Sequence, residues 1–127
     1  MAIAGRVKVF FDGGYRPATG METAVVVRGR AYVRQGLGPG SSLEAEWRAL
    51  IDAVRIATEL CLSDPVFVGD ALAVIQPAGG TCSRPGASAR YLELLGSTGC
   101  RPDTLRLRHI KRSQNLAGIA LARLHDR

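Results

Sequence analysis

Asp12, Glu46 and Asp70 are the residues of this chain whose type and surroundings best suit chemistry. Asp12 closes the apolar run Val7 to Phe11, and Asp70 closes Val66 to Val68. An ionised carboxylate there is costly unless a cation or several donors lie nearby. Glu46 stands between Leu43 and Leu50 at the border of an apolar helical stripe, where it can face a neighbouring layer rather than bulk water. Hard oxygen ligands of this kind suit Mg²⁺ or Mn²⁺, and two such ions about 4 Å apart can hold a phosphodiester, activate water and stabilise a leaving oxygen. Any one of these acids alone is as well explained as a turn former or helix cap; the combination carries the weight.

The elements that must position them can be read along the chain. Val7 to Asp12 is a strand running into a turn at Gly13-Gly14, and Met21 to Arg28 and Arg30 to Gln35 follow as two more strands of an antiparallel meander. Ser41 and Glu44 stand at capping-box spacing before Leu43, Trp47, Leu50, Ile51 and Val54, which predicts an amphipathic helix over Ser42 to Leu60. Val66 to Asp70 reads as a buried strand, Ala71 to Gln76 as a short helix, Pro77 to Gly86 as loop and Ala87 to Leu95 as a helix. Leu105 to Ile110 alternates as a half-buried strand does, and Leu116 to Leu124 closes the chain as a helix. The expected fold class is α/β, a mixed five-stranded sheet, three antiparallel strands then two parallel, flanked by helices.

Composition sets the frame. With 127 residues, 46% apolar and 22% charged, one domain spanning 1–127 is expected. No apolar run approaches the roughly 18 to 20 residues of a membrane span, and the N-terminal stretch lacks the form of a signal peptide, so the expectation is a cytoplasmic protein with no membrane partner. Cys61, Cys82 and Cys100 are odd in number and lack histidines at metal spacing, which supports neither a disulfide framework nor a zinc site. The net charge is +6, and residues 101–127 carry seven Lys or Arg against Asp103 and Asp126, hence +5 of it. Fifteen of the seventeen cations are Arg, whose planar fork suits phosphate oxygens, so a nucleic-acid partner is plausible. Trp47 reads as core rather than a base-stacking platform, and the glycines from Gly79 to Gly86 as loop rather than a phosphate cradle.

Phe11-Asp12-Gly13-Gly14, the run Ser41 to Leu50, Val68-Gly69-Asp70 and Asn115 together resemble the ribonuclease H family, type 1, in its short form. The resemblance runs almost end to end, and it is the order and spacing of the four pieces that makes it specific. It implies the ribonuclease H-like fold, cleavage of the RNA strand of RNA–DNA hybrids, and two Mg²⁺ or Mn²⁺ ions in the substrate complex held by carboxylates that include Asp12, Glu46 and Asp70. It further implies nucleic-acid contacts at Gly13, Gly14 and Ser42. The basic run, including Arg106, Arg108, Lys111 and Arg112, would serve the same partner, with His109 and Asn115 as auxiliary residues.

Two departures stand out. The family's fourth carboxylate lies four residues after the matching asparagine, and that position is Ile119. No acid occurs between Thr104 and His125. Asp126 lies eleven residues past Asn115, roughly 16 Å along a helix, and Asp103 precedes the last strand at its far end, so neither is placed to substitute. His109, Ser113, Gln114 or a water would complete only a weakened site. The family's polar substrate readers are also replaced, by Ser42-Leu43 on the first helix and by Ala71-Leu72 after the third acid. Two readings follow: a ribonuclease H-type endonuclease with a weakened metal site, or a module of the same fold that binds nucleic acid without cutting it. A structural or protein-interaction domain would show no salt-sensitive binding to nucleic acid.

Overall fold

The computed structural model describes residues 6–78, 87–96 and 105–125. Asp103, Asp126, Cys82, Cys100 and all but the first residues of the expected loop from Pro77 to Gly86 lie outside them. The first strand, β1 (Val7–Arg16), runs antiparallel to β2 (Gly20–Val27), which in turn pairs with β3 (Arg30–Arg34). Arg28 and Gly29 join β2 to β3 with φ of 52° and 80°. Two positive φ values form the mirror-image turn whose twist matches that of a hairpin.

The expected turn at Gly13-Gly14 is corrected. β1 continues through both glycines, Gly13 opposite Thr23 and Gly14 opposite Glu22, and the chain reverses only at Pro17 to Thr19. Asp12 therefore sits inside a strand, not at its end. Gly13 is explained by packing: a side chain there would overlap the backbone of Ala45, in the first turn of the helix crossing above it.

That helix, α1 (Ser42–Glu59), is capped by Ser41, whose hydroxyl accepts from the Glu44 N–H at 3.1 Å. The Glu44 carboxylate accepts from the Tyr91 hydroxyl at 2.8 Å, so the cap uses half of the expected box. Trp47, Leu50, Ile51 and Val54 bury the α1 stripe against one face of the sheet. Trp47 is wholly buried and stacks on Tyr91, ring centroids 5.8 Å apart, as core rather than as a platform.

After α1 comes β4 (Pro65–Gly69), parallel to β1, and then α2 (Leu72–Ala78), which keeps Pro77 in its last turn, and α3 (Ala87–Gly96). The final strand, β5 (Leu107–His109), is shorter than the alternation suggests, with Phe67 and Ile110 N–H groups extending the ladder to Arg106 and Gly69 carbonyls. One 3₁₀ turn, Arg112–Gln114, leads into α4 (Leu116–Leu124). α4 covers the opposite face of the sheet, where Ala117 and Leu121 pack on Ala24 and Val26. The sheet order is β3-β2-β1-β4-β5, antiparallel on one side of β1 and parallel on the other, as expected. Among the described residues no helix is long and apolar enough to cross a membrane.

Candidate metal centre

The last β1–β4 pair is Phe10 with Val68, so two residues further along each strand Asp12 stands level with Asp70, where the ladder has ended. α1 crosses above this gap and lowers Glu46 into it. One oxygen from each of the three carboxylates lies within 4.8 Å of the others.

Each acid has its own tether. The Gly13 N–H donates to Glu46 Oε1 at 2.7 Å, an approach that only a residue without a side chain permits beneath α1. Asp70 is held by Asn115: its Nδ2 donates to Asp70 Oδ2 at 2.9 Å and to the Phe11 carbonyl at 3.0 Å, and its Oδ1 caps α4 by accepting from the Ala117 N–H at 3.1 Å. Asn115 is wholly buried and fully satisfied, and it ties β1, β4 and α4 together. It is a positioning residue. Asn115→Ala should strand a buried carbonyl and a helix N–H and lower folding stability by about 2–4 kcal/mol, read from the urea midpoint; a loss below about 1 kcal/mol would remove Asn115 from this role.

Crowding has an electrostatic cost. Burial, then the charge of Asp12, pushes the Glu46 carboxyl up to about 9, against the hydrogen bond from Gly13. Burial, then the charge of Asp70, pushes Asp12 up to about 6, with Arg112 among the groups pulling it back. Mutual repulsion thus ranks second to burial. The three carboxylates share a shortage of positive charge, and their hard oxygens converging within bonding reach fit a divalent cation such as Mg²⁺ or Mn²⁺.

A groove of about 980 Å³ opens from this cluster. Gly13, Gly14 and Ser42 line it with Asp12 and Glu46, and Arg112 and Ile119 lie on its wall. Ile119 is 38% exposed and puts an apolar surface there, next to Gly118, where a Cβ would come within 3.3 Å of Asp12 Oδ2. The basic run divides. Arg112 reaches the groove, whereas Arg108 lines a separate cavity with Arg106 and Lys8, and Arg106 is paired with Asp64 at 3.0 Å. Lys111 is exposed and is not among the groove-lining residues, and His109 is exposed on β5 opposite Gly69. Ser113 and Gln114 are exposed in the 3₁₀ turn.

Sequence reasoning missed Glu22 and His125, which line the same groove, where the His125 Nε2 lies 2.9 and 2.8 Å from the two Glu22 oxygens. The available signal was an acid in β2 at a position sharing its strand face with Ala24 and Val26.

No protein-family model matches the chain, and no curated protein matches it. Solved structures do. The chain is similar to ribonuclease H1 from the halophilic archaeon Halobacterium salinarum NRC-1 at a TM-score of 0.79 and 23% identity, over 97% of this chain and 100% of that one. A structure of LC11-RNase H1 in complex with an RNA/DNA hybrid aligns at 0.73 and 18% identity, over 87% and 89% of the two chains. The N-terminal RNase H domain of rv2228c from Mycobacterium tuberculosis aligns at 0.68 and 19% identity, over 92% and 95%. The chain has the ribonuclease H fold.

Proposed function

We propose that the chain is a type 1 ribonuclease H, a metal-dependent endonuclease for the RNA strand of RNA–DNA hybrids, working with a weakened metal site. The observation that carries this is the convergence of Asp12, Glu46 and Asp70 within 4.8 Å on a ribonuclease H fold. The similar LC11 protein, solved with an RNA/DNA hybrid, supports the choice of substrate. Asp12, Glu46 and Asp70 would hold Mg²⁺ or Mn²⁺, two ions being expected with substrate. Ions so bound polarise the phosphodiester and make water a better nucleophile.

The remaining work falls to the chain. Gly13 and Asn115 hold two of the acids in place from behind. Gly13 and Gly14 line the groove floor, and the missing side chain at Gly14 would let a phosphate backbone approach it. Arg112, on the wall, offers a phosphate-binding fork. The exposed free thiol of Cys61 fits a reducing compartment such as the cytoplasm.

Ile119 favours a second reading, a module that binds hybrids without cutting them, because the groove wall beside Asp12 is apolar. The deciding experiment incubates a labelled hybrid with the chain in Mg²⁺ and in Mn²⁺, alongside Asp12→Asn. Cleavage lost in Asp12→Asn supports the endonuclease; salt-sensitive binding without cleavage in either metal supports the module; neither binding nor cleavage overturns both.

The divided basic run yields a further expectation. Arg112→Ala should weaken hybrid binding across sequences and flatten its salt dependence by about one unit of slope, and Lys111→Ala should change the slope less. Equal slopes for wild type and Arg112→Ala would place the binding surface elsewhere.

A further inference from the structure

Glu22 is 4% exposed, yet it is an acid on the strand face that α4 covers. Both its oxygens face the Nε2 of His125, the residue that caps the C-terminal end of α4, at 2.8 and 2.9 Å. A carboxylate only accepts, so Nε2 carries the proton and donates, and the pair fixes the plane of the ring. Nδ1 is left as the ring's remaining polar atom.

The pair lies in the groove already described. Glu22 is opposite Gly14, two residues beyond Asp12 on β1, and two residues of extended strand span roughly 6.6–6.8 Å. Nothing stands on the strand between them, since Gly14 has no side chain and a Cβ there would come within 3.5 Å of Glu22 Oε2. The other charged groups lining the groove are Asp12, Glu46 and the cations Arg16 and Arg112. Glu22 is spoken for by His125 and stands outside the cluster of three acids, so it is not a further metal ligand. What the geometry offers is a histidine held in one orientation in the groove that opens from the acids.

We infer that His125, oriented by Glu22, donates from Nδ1 in its doubly protonated form to a backbone phosphate of the strand seated in the groove, beyond the phosphate at the acid cluster. This rests on the proposed nucleic-acid function. It makes His125 a substrate-contacting residue and Glu22 a positioning residue.

The test is a binding cycle in chelator at low salt, with RNA–DNA hybrids carrying one neutral methylphosphonate linkage, moved stepwise along the DNA or RNA strand. Wild type should lose affinity by about tenfold at one particular linkage. His125→Ala should bind the unmodified hybrid about tenfold more weakly and lose nothing further at that linkage, and Glu22→Gln should reduce the coupling. A tie that merely pins α4 would lower the melting temperature without abolishing the response to one linkage. If His125→Ala does not fold by circular dichroism, His125→Gln, which keeps a donor for Glu22, is read in the same cycle. Equal losses in wild type and variants at every linkage would overturn the inference while hybrid binding persists. Absence of hybrid binding by the wild type would overturn the proposed function, and this inference with it.

Discussion

Ile119→Asp is expected to raise hybrid cleavage in Mg²⁺ by tenfold or more, about 1.4 kcal/mol of barrier. The position lies on the groove wall, one residue from Gly118, whose Cα hydrogen faces the Asp12 carboxylate. An aspartate there would add an anionic oxygen to a site built from three. Mg²⁺ demands near-octahedral oxygen geometry, whereas Mn²⁺ accepts more varied ligands, so wild-type activity should be greater in Mn²⁺ and the substitution should narrow the difference. Because Ile119 is partly exposed, the new charge has solvent access, and the variant should fold. It should also gain more thermal stability from added Mg²⁺ than the wild type does, as a ligand that binds only the folded state requires. If wild type already cleaves rapidly in Mg²⁺ and the substitution adds nothing, the site is complete without an acid at this position.

The second large effect is on stability, and its sign is opposite to that of most core substitutions. Glu46 has an ordinary carboxyl value of 4.5 when unfolded and about 9 when folded. Between these values the folded chain holds a proton that the unfolded chain has released. Stability from this group is therefore fully present below about pH 4.5 and is lost progressively as pH rises towards 9. Asp12 adds a smaller loss of the same sign between 3.8 and about 6. Glu46→Gln keeps an oxygen to accept the Gly13 N–H and removes the charge. In chelator it should be more stable than wild type at pH 8 by on the order of a few kcal/mol, with the advantage vanishing near pH 4. Urea midpoints measured from pH 4 to 9 check this. Millimolar Mg²⁺ should stabilise the wild type and leave Glu46→Gln nearly unchanged. A variant less stable than wild type at pH 8 would show that the cluster is not under electrostatic strain.

Much of this was legible in the chain itself, and for local reasons. The N-cap at Ser41, the period of α1, the break between β2 and β3 at Gly29 and the span of α4 depend on residues within a few positions of one another. The three acids were legible too, because an ionisable group beside an apolar run is conspicuous in sequence. The order of elements was legible from periodicity, and the resemblance to a known pattern implied that it brings the three acids together.

Other features depend on contacts between residues far apart in the chain, and no local pattern announces those. Gly13-Gly14 has the composition of a turn, yet it lies within β1 because α1 needs bare backbone beneath Ala45. Arg108 and Arg112 belong to one basic run, but a three-residue strand and a 3₁₀ turn send them to different surfaces. Asn115 became the tether of Asp70 only when α4 docked 45 residues further along the chain, and Glu22 met His125 across a separation of 103 residues. Sequence thus determined which residues could do chemistry and which elements would carry them. The tertiary structure decided which of those residues share a groove, because burial and the partners that offset it arise only when distant segments pack.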